Sequence, residues 1–237
     1  MFTKQYNVPS LKLLLTCEHG GNEIPEQFKF LFEDGKQALN SHRGYDLGAL
    51  DLYTELEELS ESSKFSTISR LLIELNRSIG HPALFSEFTK HQSLLEKEQI
   101  ISKFYLPYRN AVEQQIMKLT DRGEAVLHLS VHSFTPELHG EKRNADVGLL
   151  YDPSRRSEKE FCKSFKKELK TLDSNLNIRF NYPYLGTADG FTTYLRRKFE
   201  YNYIGVEIEI NQKFSSNNQM DTTIKKILYQ ALLNIIK

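Results

Sequence analysis

Ala125-Val-Leu-His-Leu-Ser-Val131 reads as a central β-strand, apolar at most positions and carried straight into His132-Ser-Phe-Thr-Pro136. A second apolar run, Leu11-Lys-Leu-Leu-Leu-Thr-Cys17, reads as a buried strand ending in the glycine-rich polar turn Glu18-His-Gly-Gly-Asn-Glu-Ile-Pro25. Phe65–Leu75, Ala145–Asp152, Asn177–Tyr182 and Tyr203–Ile210 are expected as further strands. Between them lie longer stretches expected as helices. Asp46–Leu59 has leucines at near-helical spacing, and Glu98–Leu119 is interrupted near Pro107. Ser157–Leu172, Phe191–Lys198 and about Thr222–Ile236 complete the set. Strand-like and helix-like segments alternating in this way predict an α/β layered fold.

Composition narrows the function classes. The chain has 237 residues, 31 Lys+Arg against 31 Asp+Glu, 39% hydrophobic and 11% aromatic residues. That is enough apolar material for a real core. With no repeat, linker or low-complexity tract, residues 1–237 are expected to form one domain. Zero net charge argues against bulk electrostatic binding of nucleic acid or acidic membranes. Two cysteines, Cys17 and Cys162, are too few for a disulfide framework or a four-thiolate zinc site. The start, Met1-Phe-Thr-Lys-Gln-Tyr-Asn7, lacks the pattern of a signal peptide, and no apolar run is long enough for a membrane span. A cytoplasmic protein is the expectation.

Polar residues at the carboxyl ends of strands carry the chemistry, because ligands of open α/β sheets bind outside those ends. His19 and His132 each follow an apolar run, and two such histidines can share one Zn²⁺ with a carboxylate as third ligand and water as fourth. The carboxylate is Glu23 or Asp46, and spacing does not choose between them. Asp46 also stands where a helix N-cap is expected. Arg70 and the pair Asn76-Arg77 suit a grip on a carboxylate or a carbonyl, since the guanidinium fork matches a carboxylate in two bonds. Glu207 and Glu209 lie two apart in an apolar run, so they share one face of the strand, and one of them is a candidate general base. His128, mid-strand, reads as a core or face residue. Gly186-Thr-Ala-Asp-Gly190 lacks both the Walker lysine and the GxGxxG spacing, and there is no GxSxG elbow.

Six blocks, taken in order, resemble the N-formylglutamate amidohydrolase family. They are Cys17-Glu-His-Gly-Gly-Asn-Glu-Ile-Pro25, Arg43-Gly-Tyr-Asp-Leu-Gly48, Ser69-Arg-Leu-Leu-Ile-Glu-Leu-Asn-Arg77, Val131-His-Ser-Phe134, Asp146-Val-Gly-Leu-Leu-Tyr151 and Glu207-Ile-Glu-Ile-Asn-Gln212. The resemblance implies a three-layer α/β/α sandwich with a mixed central sheet, of the phosphorylase/hydrolase-like kind shared with zinc carboxypeptidases and aspartoacylase. It implies one Zn²⁺ per chain on His19, His132 and Asp46, with Glu23 as the alternative third ligand. It further implies Glu209 as the base that activates water, Asn76-Arg77 as the carboxylate-binding pair and Arg70 as the carbonyl-polarising arginine.

The implied reaction is hydrolysis of a small N-acyl amino acid such as N-formyl-L-glutamate to the free amino acid and a carboxylic acid. Competing readings are a zinc carboxypeptidase or peptidoglycan amidase acting on peptides, and a non-catalytic module that binds a small carboxylate.

Overall fold

Along the strand at Ala125–Phe134, alternate side chains meet different chemistry. Leu127, Leu129 and Val131 enter one apolar cluster, while His128, Ser130 and His132, equally buried, face the other side of the sheet. A computed structural model describes residues 11–236. The opening Met1–Asn7 segment lies outside the described residues.

Six strands form the sheet: β1 (Leu11–Cys17), β2 (Ser62–Phe65), β3 (Ala125–Phe134), β4 (Val147–Leu150), β5 (Ile178–Phe180) and β6 (Tyr203–Asn211). Their order is β2-β1-β3-β6-β4-β5. The first four run parallel; β4 pairs antiparallel with β6, and β5 runs parallel to β4. This is the expected mixed sheet.

Helices cover both faces, which is why the central strands read as nearly continuous apolar runs. On one face lie α1 (Ala49–Glu57), α4 (Arg156–Leu172) and α6 (Thr222–Ile236), packed through residues such as Leu52, Phe165 and Leu228. The other face is covered by α2 (Leu94–Ile100), α3 (Leu106–Thr120) and α5 (Phe191–Lys198), through Ile100, Val112, Ile116, Phe191 and Leu195. The interruption expected near Pro107 is a π-helical turn at Ile101–Tyr105, and the proline sits in the first turn of α3, where its missing N–H is harmless. No helix of the described residues is long and apolar enough to cross a membrane.

One expected strand is corrected. Phe65–Leu75 is not a strand: β2 ends at Phe65, and the chain from Ser66 onward runs as turns with a single bridge between Glu23 and Ile68. Leu71, Leu72, Ile73 and Leu75 are still buried, so their apolar run reflects packing of a loop onto the helix α3 side of the sheet.

Of the two readings of His128, core or face, the structure bears out the core: the side chain is fully buried. Its Nε2 lies 2.8 Å from Thr16 Oγ1 and its Nδ1 2.7 Å from the Tyr203 hydroxyl. Burial is the main cause that lowers its pKa from 6.5 to about 4, so it is neutral in the fold. The unfolded chain takes up this proton near 6.5, so the stability owed to neutral His128 is complete above that pH and is lost as pH falls towards 4. Urea unfolding at pH 7 and pH 5 should therefore show wild type losing about 1–2 kcal/mol more than His128→Gln. Equal losses in the two proteins would count against this assignment.

Candidate active site

The site forms where the α3-side face of the sheet turns polar. In the parallel pairing of β3 with β6, Ser130 stands beside Glu207 and His132 beside Glu209. The parity that buries Val206, Ile208 and Ile210 on one side therefore sends both glutamates to the same side as the polar residues of β3. On the opposite flank of β6, Glu209 pairs with Gly148. A Cβ there would collide with the Tyr182 carbonyl oxygen, so glycine allows that loop to lie close against Glu209.

His19 follows β1 directly, and its carbonyl accepts the Asp46 amide at 2.9 Å. That bond brings in the Arg43–Gly48 loop, which is also pinned by Ser69 Oγ donating to the Gly44 carbonyl at 2.9 Å. Asp46 is not the helix N-cap: Gly48, at φ +77°, holds that position, and the Asp46 side chain turns into the site. Asp46 Oδ2 lies 3.3 Å from His19 Nδ1 and 2.9 Å from His132 Nδ1. Donor atoms of these three buried residues all lie within 4.8 Å of one another, a group that can hold a metal ion. Glu23 is elsewhere: it is exposed and accepts a hydrogen bond from Thr67 Oγ1 at 2.7 Å.

The far nitrogens of both imidazoles also meet carboxylates. His19 Nε2 contacts Glu74 Oε1, and His132 Nε2 lies 3.2 Å from Glu18 Oε2 and 2.9 Å from Ser130 Oγ. Glu18 is fully buried and accepts from Ser130 Oγ at 2.5 Å and from the Tyr108 hydroxyl at 3.0 Å. Arg70 Nε donates to Glu74 Oε2 at 2.8 Å and its Nη1 to Asp46 Oδ1 at 3.2 Å. These outer carboxylates fix which ring nitrogens face Asp46. Sequence reasoning missed Glu18, Glu74, Ser130 and Tyr108. A signal existed for two of them, since Glu18 adjoins His19 and Glu74 falls four residues after Arg70.

The charges place a demand on this site. Burial alone would raise Asp46, but His19, His132 and Arg70 hold its carboxyl well below the usual range. Burial also opposes ionisation of Glu18, yet hydrogen bonds from His132 and Ser130 bring it to about 2. Glu74 is likewise held low against burial, chiefly by Arg70. Burial would lower His132, and the bonds to Asp46 and Glu18 instead raise it well above 6.5. Three buried carboxylates converge on Arg70 and on two imidazoles whose proton affinity they raise, so positive charge at the imidazoles, carried by protons or by a metal ion, balances the site. The donor set and the electrostatics both fit a divalent ion.

Glu209 differs from the other carboxyls. Burial raises it to about 8, with Asp46 and Glu207 adding to the shift, and its Oε2 is buried without a hydrogen-bond partner among the described residues. Glu207 is instead engaged, accepting from Thr192 Oγ1 at 2.6 Å. Both line a cavity of 430 Å³ with His19, Asp46, His132 and Arg70. Asn76 and Arg77 line it too, from the irregular segment rather than from a strand end. Asn76 Oδ1 accepts the Phe191 amide at 2.6 Å, and Arg77 donates to the Asp189 carbonyl, so the Gly186–Gly190 loop forms part of the wall.

A carboxyl group of raised proton affinity, facing imidazoles that share one carboxylate, suits proton transfer in a hydrolase. The N-formylglutamate amidohydrolase family model matches residues 11–215, and the chain belongs to that family, whose members hydrolyse carbon–nitrogen bonds. Two solved structures share the fold. A gene product of Agrobacterium tumefaciens is 24% identical with a TM-score of 0.76, covering 97% of this chain and 93% of its own. The N-formylglutamate amidohydrolase of Ralstonia eutropha is 17% identical with a TM-score of 0.71, covering 97% and 94%. No curated protein gives a significant sequence match.

The carboxylates behind the imidazoles should be felt by the ion. Glu18→Gln and Glu74→Gln should each weaken divalent-metal affinity by about 10- to 100-fold, measured by competition with a chelator. Unchanged affinity in both variants would mean that these carboxylates do not orient metal ligands.

Proposed function

We propose that the chain hydrolyses the amide bond of an N-acyl amino acid, with N-formyl-L-glutamate as the first substrate to test, and that its resident ion is zinc. The observation that carries the reading is Glu209: a buried carboxyl oxygen with no partner, on the strand position beside His132 and facing the cavity. His19, Asp46 and His132 would hold the ion, through the Nδ1 atoms that already converge on Asp46. Bound there, zinc would acidify a water molecule and polarise the scissile carbonyl.

The chain's own residues do the rest. Glu209 takes a proton from the attacking water on Oε2 and delivers it to the amine nitrogen as the carbon–nitrogen bond breaks. Its high proton affinity suits the delivery half of this task. Arg70, oriented by Glu74 and Asp46, presents its remaining N–H groups to the negative charge that develops on the carbonyl oxygen. Asn76 and Arg77 hold the substrate's α-carboxylate; Arg77 spends one N–H on the Asp189 carbonyl and keeps the others free for the fork. Thr192 keeps Glu207 occupied, which leaves Glu209 as the proton carrier.

The test is turnover by zinc-loaded protein across N-formyl, N-acetyl and peptide substrates, with Glu209→Gln alongside. The variant keeps the size of the side chain and should keep the metal, while kcat falls by about 100-fold or more. Full activity of Glu209→Gln with zinc present in the same sample would refute the role, and cleavage confined to peptides would move the chain to a peptidase reading.

A further inference from the structure

Arg109 on α3 is 3% exposed and has no carboxylate partner among the described residues. A buried guanidinium without an acid is expensive, so what it contacts is informative. Its Nη1 donates to the carbonyl oxygens of Leu75 and Arg77, each at 3.1 Å. These two carbonyls flank Asn76. The cation itself sits among three rings, 4.9 Å from Tyr105, 4.2 Å from Phe191 and 4.5 Å from Tyr194. Such faces stabilise a desolvated cation while leaving its N–H groups for other acceptors.

The rings are also wired to the same segment. The Tyr105 hydroxyl donates to the Arg77 carbonyl at 2.7 Å, and the Phe191 amide donates to Asn76 Oδ1 at 2.6 Å. Tyr105 closes the π-helical turn before α3, and Arg109 follows four residues later on the same helical face. One cluster therefore fixes the Leu75–Asn76 and Arg77–Ser78 peptide planes and the Asn76 side chain, without lining the cavity itself.

We propose that Arg109 is a positioning residue: its aromatic-boxed guanidinium sets the orientation of Asn76 and Arg77 as a carboxylate-binding pair. This rests on the substrate role given to that pair above. A buried cation that served stability alone would be replaceable by an apolar residue of similar length. A cation that aims the pair is not, because an error of about 1 Å in a binding group can lower rates by about 100-fold.

The experiment compares zinc-loaded wild type, Arg109→Met, Arg109→Lys and Tyr105→Phe on N-formyl-L-glutamate and on the same compound with its α-carboxylate amidated. Hydrogen exchange at residues 74–78 is measured on the same samples. Arg109→Met should raise KM for the free acid by about tenfold or more, with kcat changed much less, while the amidated compound is nearly unaffected. Arg109→Lys keeps a cation in the box and should recover part of the loss, and Tyr105→Phe should shift KM in the same direction by less. Exchange at 74–78 should rise in Arg109→Met with the sheet amides unchanged. If Arg109→Met does not fold, the Lys and Phe variants carry the same comparison. Equal losses on both compounds, or unchanged KM and unchanged exchange in a folded variant, would overturn the proposal. If wild type itself does not distinguish acid from amide, the anchor role of Asn76-Arg77 fails first, while faster exchange at 74–78 would still establish that Arg109 fixes the segment.

Discussion

One carboxylate oxygen shared by two imidazoles organises the molecule around its site. Asp46 Oδ2 faces Nδ1 of both His19 and His132, although the three residues come from a loop, the turn after one strand and the carboxyl end of another. Bringing them together requires the β1–β3 pairing, the unwound start of α1 at Gly48 and the backbone bond between Asp46 and His19. Loss of any of these would leave buried charges without partners, which is the costly condition for a polar cluster in a core.

That cluster is held by a second set of charges. Glu18 and Glu74 each take the outward nitrogen of an imidazole, and Arg70 joins Glu74 to Asp46. The arrangement is rigid for the same reason that it is demanding. Each carboxylate is held ionised against burial by a charged neighbour in direct contact with it, so the group behaves as a unit. Glu209 stands apart with a free oxygen and a raised pKa, and this contrast between adjacent carboxyls separates proton transfer from structural work.

Much of this was legible in the sequence because the relevant signals are local. Strand ends marked His19, and the spacing of Glu207 and Glu209 gave their common face. The helices Phe191–Lys198 and Thr222–Ile236 have the predicted limits. The resemblance to the amidohydrolase family supplied what spacing left open, including Asp46 over Glu23. What escaped depends on long-range contact. The apolar run Leu71–Leu75 looked like a strand because burial, whatever its cause, selects the same residue types. Glu74 lies inside that run beside the more conspicuous Arg70 and Arg77, and Glu18 opens a polar turn. The run Ala125–Val131 marks a central strand, and in the structure His128, Ser130 and His132 share one buried face of it. Only the neighbouring strand shows that this face is shared with two glutamates.

The orientation of the imidazoles offers the sharpest check on the whole arrangement. Nitrogen NMR of the histidine rings, followed while metal-stripped protein is titrated with zinc, distinguishes the ring atom that binds the ion from the one that keeps its proton. With Asp46 shared between the Nδ1 atoms and carboxylates behind the Nε2 atoms, Nδ1 of both His19 and His132 should move to the metal-bound position at one equivalent of zinc. Their Nε2 atoms should remain protonated. Ligation through Nε2, or titration of the rings of other histidines in place of these two, would contradict the site described here.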